Sequence, residues 1–202
     1  MNIFFDFDGT LLDSRLRLYQ LFQELVVDSK FSIDDYWELK RNKISHKQIL
    51  LNQFKYTEKK YLEFEEEWMS KIELPEYLDK DIPFEGVTLF LENVKQNHCL
   101  YLVTARQSKI LAENQIKKLG WENIFVEILV TLQKQEKHQL ISDNVIVNSE
   151  DWLIGDTGKD IQTGKLLGIK TAAVLSGFLN EKQLIYYEPN IILDDVTHFN
   201  TN

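Results

Sequence analysis

The first fourteen residues constrain the fold more than any other stretch. Ile3-Phe4-Phe5 begins an apolar run that ends in Asp6-Phe7-Asp8-Gly9-Thr10. A short run of large apolar residues closed by glycine predicts a strand covered on both faces, as in parallel sheets. Asp is disfavoured in strands and costly to bury as an ion. Asp6 and Asp8 at the C-terminal end of such a strand therefore need a reason. A bound cation supplies one, because it offsets their mutual repulsion and their lost hydration. Two solvated acids would be the plainer alternative, but Gly9-Thr10 turns the backbone just where a ligand could approach. Open α/β sheets place their sites at the carboxyl ends of strands, so this stretch predicts a metal or phosphate site.

Beyond Ser14 the pattern changes. Residues 15–80 hold no glycine and a single proline, Pro75. Leu18, Leu21, Phe22, Leu25 and Val26 recur at helical spacing, and Ser32, Ser45 and Thr57 stand where helix caps belong. This predicts an all-helical insert with its own small aromatic core. Lys40, Arg41, Lys43 and His46 form a basic cluster that reads as a solvated turn, with substrate contact as the alternative. From residue 81 strands and helices alternate. Strands are expected at 99–103, 124–130, 152–154, 171–175 and 191–193, with helices at 107–119, 133–141 and 161–167. The expected fold class is α/β: a doubly wound, mostly parallel, Rossmann-like sheet with an all-helical cap inserted after the first strand. The expected domains are a core of 1–14 with 81–202 and a cap of 15–80.

Composition narrows the function classes. The formal net charge is −9 with no long basic run, which argues against nucleic-acid and anionic-membrane partners. No apolar run approaches the roughly 20 residues that span a bilayer. The single cysteine, Cys99, fits a reducing compartment and reads as a core residue. The first strand starts almost at Met1, so the expected location is cytoplasmic. The four histidines show no paired metal spacing.

Three predicted strand ends carry unusual polar residues: Asp6 and Asp8, then Thr104, then Asp156 with Asp160. Adjacent strand ends in a parallel sheet lie side by side, so the three can converge. Asp6-Phe7-Asp8-Gly9-Thr10-Leu11-Leu12-Asp13-Ser14 resembles the first motif of the haloacid dehalogenase-like superfamily, in its phosphatase branch. Val103-Thr104 resembles its second motif, and Gly155-Asp156-Thr157-Gly158-Lys159-Asp160-Ile161 its fourth. The helical insert is similar to that family's type 1 cap.

The resemblance implies a phosphatase for a small phosphorylated metabolite, phosphoglycolate phosphatase-like, with Mg²⁺ as cofactor. Asp6 would be the nucleophile and Asp8 the general acid and base. Asp6, Asp8 through its backbone carbonyl, and Asp156 would be metal ligands, with Asp160 supporting them. Thr104, Ala105, Gly9 and Thr10 would hold the substrate. A lysine is also implied. Lys137, nineteen residues before Asp156, is favoured over Lys134. Arg106 reads as an ion-pair partner, with substrate contact as the alternative. A phosphosugar mutase of the same fold and a non-catalytic phospho-ligand binder are the other readings. The chain is expected to be a monomer or a homodimer.

Overall fold

A computed structural model describes residues 1–200. In chain order its elements are β1 (Asn2–Phe5), β2 (Leu12–Asp13), α1 (Arg15–Leu25), α2 (Ile33–Arg41), α3 (His46–Asn52), α4 (Glu58–Lys71) and α5 (Pro75–Leu78). Then come β3 (Ile82–Pro83), α6 (Val87–Val94), β4 (Cys99–Thr104), α7 (Lys109–Lys118), β5 (Glu127–Val130) and α8 (Lys137–Asn144). The chain ends with β6 (Trp152–Gly155), α9 (Gly158–Leu167), β7 (Lys170–Val174), α10 (Glu181–Ile185), β8 (Ile191–Leu193) and a 3₁₀ turn at Val196–His198. It forms two compact units, 1–13 with 83–202, and 14–82.

The first unit is a six-stranded sheet in the order β5-β4-β1-β6-β7-β8, with every neighbouring pair parallel. β1 is central: Phe4 stands opposite Tyr101 on β4 and Leu153 on β6. Successive side chains leave opposite faces of a strand. Accordingly Ile3 and Phe5 join Leu102, Leu91, Ile116 and Trp121 in one core, while Phe4 joins Val103, Leu129, Ile141 and Leu153 in another. Each such ring or branched chain contributes roughly 1.5–3 kcal/mol through burial. The strand order reverses between β1 and β6, and at such a switch point the strand ends leave a crevice.

The second unit is built on α1 to α5. Ser32 and Ser45 close capping boxes with Asp35 and Gln48, and Thr57 caps α4. Phe22 is the hub of its core, with ring centroids of Tyr36, His46, Phe31, Phe64 and Phe54 at 4.9–6.3 Å. The aromatics of this insert thus form its own core.

Several local expectations shift. β5 starts at Glu127, not 124, because Trp121–Ile124 closes a turn (Ile124 N to Trp121 O, 3.0 Å). α8 starts at Lys137 because Leu132 and Gln133 adopt left-handed backbone that no helix accepts. α9 begins three residues earlier than expected, because Thr157 and Asp160 form a capping box. Cys99 is exposed and not a core residue: it opens β4 at the rim of the sheet. His46 does not sit in a solvated turn; its ring packs against Phe22, Tyr36, Phe64 and Trp68.

Candidate active site

The site is built where β1 and β6 diverge. Asp6 continues β1 by one residue, its N–H donating to the Ile154 carbonyl on β6 (2.9 Å). Asp156 directly follows β6 and is fully buried. Asp160 occupies the third position of α9, where a carboxylate favours the helix N-terminus. Carboxylate oxygens of these three residues lie within 4.8 Å of one another. Lys137, from the start of α8, donates to Asp6 Oδ1 (2.5 Å) and to Asp160 Oδ1 (2.6 Å). Asp160 Oδ2 accepts from the Thr157 N–H and hydroxyl (3.1 and 2.6 Å).

Asp156 is held from two further sides. The Phe178 N–H donates to its Oδ2 at 2.5 Å, and the Thr10 hydroxyl lies 3.4 Å from Oδ1. Gly9 (φ +85°) and Gly177 approach so closely that a Cβ on either would overlap its carboxylate. These two glycines are required by space, and Gly9 by backbone as well.

Three carboxylates share one ammonium, and the imbalance shows in the proton affinities of Asp6 and Asp156. Burial pushes Asp6 up to about 6; Lys137 opposes this, while Asp160 and Asp8 add to it. Burial, then the charges of Asp6 and Asp160, raises Asp156 well above the usual carboxylate range, against the Phe178 N–H. Burial works against the charge on Lys137, but Asp160 and Asp6 outweigh it and hold the lysine above its ordinary value. A buried cluster short of positive charge fits a divalent cation: hard oxygen donors, two or three of them carboxylates.

Asp8, two residues beyond Asp6, stands apart from this cluster. Its Oδ2 accepts from Arg106 Nε and its Oδ1 from Arg106 Nη2, both at 2.7 Å. Thr104, at the end of β4, is buried, and Ala105 beside it is exposed. Ala105 and Lys137 line a cavity of about 490 Å³ with Thr131, Lys134, Lys159 and Thr163. Of the two lysines that sequence left open, Lys137 reaches the carboxylates and Lys134 lines the cavity wall. Gly9 turns its carbonyl to the Ser176 hydroxyl (2.9 Å), and Thr10 is fully buried with its hydroxyl toward Asp156.

Sequence reading missed the segment Ser176-Gly177-Phe178, which closes over Asp156. Its signal was a Ser-Gly pair directly after a buried strand, a turn signature at one more strand end.

The haloacid dehalogenase-like hydrolase family model matches residues 3–174. The chain belongs to this family. None of the curated protein sequences compared matches it. Solved structures do. One, from Bacteroides fragilis, is named as a haloacid dehalogenase-like hydrolase and is 18% identical, with a TM-score of 0.77 and 97% of each chain covered. Another, from Clostridium difficile, is named as a phosphatase: 19% identity, TM-score 0.75, covering 96% of this chain and 94% of that one. A third, from Haemophilus somnus, is named as a predicted phosphoglycolate phosphatase: 19% identity, TM-score 0.74, with 96% and 93% covered. At these identities the likeness is one of fold. No described helix is long and apolar enough to cross a membrane.

Proposed function

We propose that this chain is a Mg²⁺-dependent phosphatase for a small phosphomonoester, working through an aspartyl-phosphate on Asp6. One observation carries the reading: Asp6 sits at the sheet's switch point in a buried carboxylate cluster, with one oxygen held at 2.5 Å by Lys137. A carboxylate so held is aimed and cannot rotate freely, which is what a nucleophile needs.

Asp6 attacks phosphorus, and the bond from phosphorus to the alcohol oxygen breaks. Asp8 gives that oxygen its proton. Water then attacks the same phosphorus, Asp8 takes the water's proton, and the bond to Asp6 breaks to release phosphate. The Thr104 hydroxyl and the Ala105 N–H hold the non-bridging oxygens, and Lys137 balances their charge. Asp6, Asp156 and the Asp8 carbonyl would hold Mg²⁺, with Asp160 supporting; when bound, the ion neutralises charge on the phosphoryl oxygens.

The helical unit, inserted directly after the first motif, would be the cap that selects the substrate. The likeness to a predicted phosphoglycolate phosphatase puts small carboxylated phosphomonoesters first in a substrate panel. The single exposed cysteine is consistent with a cytoplasmic setting. Asp6→Asn is expected to lower turnover of p-nitrophenyl phosphate by at least about a thousandfold, and EDTA to abolish it until Mg²⁺ is restored. Full activity after either treatment would overturn the reading.

A further inference from the structure

We propose that Arg106 is a positioning residue for Asp8: a fixed, buried post that tethers and aims the carboxylate while it donates and recovers its proton. This rests on the phosphatase reading, in which Asp8 is the acid.

The two partners differ in freedom. The Arg106 side chain is 2% exposed, that of Asp8 21%. Arg106 is fixed from two other directions. Its Nη1 donates to Gln115 Oε1 on α7 (2.8 Å), and its guanidinium lies 5.0 Å over the Phe7 ring. Phe7 is fully buried, and Gln115 nearly so. Moving Arg106 would break these contacts in a close-packed interior. Asp8 follows the end of β1, on the more open side. The fork of Nε and Nη2 matches a carboxylate's two oxygens and restricts its rotation.

The fork engages both carboxylate oxygens, so the plane and rotamer of Asp8 are set by a group that is itself fixed from behind by Gln115 and Phe7. Without Arg106, the Asp8 side chain would sample rotamers that point away from the reacting oxygen. A misplacement of about 1 Å can cost on the order of a hundredfold in rate.

Lys137 already balances Asp6 and Asp160. A purely structural ion pair would support the fold for every substrate alike. A positioning residue matters most where a proton must reach the departing oxygen. Phenyl phosphate and p-nitrophenyl phosphate have nearly the same shape, but phenolate is the poorer leaving group and depends more on the acid. The quantity to compare is kcat/KM, which covers only the steps through departure of the alcohol.

In Arg106→Gln, kcat/KM for phenyl phosphate is expected to fall at least tenfold more than for p-nitrophenyl phosphate. Most of that loss would be in kcat. Arg106→Lys keeps a charge without the fork and should recover part of the difference. Gln115→Leu, which loosens the post and leaves Arg106 in place, should show the same selectivity in smaller measure. The ratio of the two substrates within one variant does not depend on how much of the sample is folded. Equal losses on both substrates in Arg106→Gln, within twofold, would overturn the proposal and reduce the pair to a structural one. A wild-type chain that hydrolyses neither substrate with Mg²⁺ would overturn the phosphatase reading itself, and Arg106 would fall with it.

Discussion

Each of the two units packs a titratable cluster into its interior, and they do so with opposite consequences. In the sheet unit, Asp6, Asp156 and Asp160 crowd around a single lysine, and burial raises Asp6 and Asp156 toward the protonated form. In the helical unit, His46 is enclosed by rings, and its Nε2 lies 2.8 Å from the Tyr36 hydroxyl. Burial, and then the charge of Lys40, holds the imidazole well below its ordinary value and therefore neutral. In the helical unit the imidazole itself is neutral and hydrogen-bonded. The sheet unit has left charge unresolved. Unresolved buried charge is expensive unless something is meant to bind there, and this contrast supports placing the proposed site in the sheet unit.

The largest effect expected from that contrast is metal-linked stability of the sheet unit. For Asp6 the folded value, about 6, lies above the ordinary 3.8. A carboxyl raised on folding contributes stability that is complete below the unfolded value and is lost as pH rises through the folded one. Between pH 5 and 7 the metal-free sheet unit should therefore become less stable as pH rises. Mg²⁺ at a hundred to a thousand times its dissociation constant should add about 3–4 kcal/mol at neutral pH. Hydrogen exchange resolved to β1 and β6, with and without Mg²⁺, would measure both effects. A neutral-pH profile indifferent to Mg²⁺ would erase the distinction between the units.

The opposite slope is expected in the helical unit. His46 has its folded value below the unfolded one, so the unfolded chain takes up the proton first. Stability is then lost as pH falls below about 6.5. Protection factors in α1, α3 and α4 should fall on going from pH 7 to pH 5, while those of the metal-free sheet unit rise over the same range. His46→Phe should flatten the acid limb. It should also cost roughly 1 kcal/mol at neutral pH, since the buried Tyr36 hydroxyl loses its partner. An unchanged acid limb in that variant would mean that another group carries the titration.

The unequal legibility of the two units follows the same line. Asp6, Asp8, Asp156 and Asp160 could be read because carboxylates at strand ends violate local preference, and such a violation has few explanations. Lys137 could be singled out only by spacing; what fixes it is that the left-handed pair Leu132 and Gln133 delays α8 until Lys137 points inward. Nothing in the sequence separates Arg106 from any other arginine after a strand. Its role depends on Gln115 and Phe7, which come from two other elements. His46 was hidden for a related reason. A histidine directly after the run Arg41-Asn42-Lys43-Ile44-Ser45 looks solvated, and only the packing of α1, α2 and α4 shows the rings that enclose it.

The smallest expected difference is also the most specific to the comparison, because both units use the same local device. Ser45 caps α3 by accepting from the Gln48 N–H (3.2 Å), while Gln48 Oε1 accepts from the Ser45 N–H (2.8 Å). At the start of α9 the Thr157 N–H and hydroxyl both donate to Asp160 Oδ2 (3.1 and 2.6 Å). Removing either hydroxyl should cost about 1 kcal/mol in urea unfolding. The two sites differ in what the partner does next. Gln48 is exposed and serves only its helix, whereas Asp160 also accepts from Lys137 and stands in the carboxylate cluster. Ser45→Ala should therefore lower stability and leave kcat unchanged. Thr157→Ala should lower stability by a similar amount and reduce kcat severalfold as well, because Asp160 loses the 2.6 Å bond that fixes its second oxygen. Identical kinetic behaviour of the two variants would show that Asp160 is held by Lys137 alone, and that the cap of α9 belongs to the scaffold and not to the site.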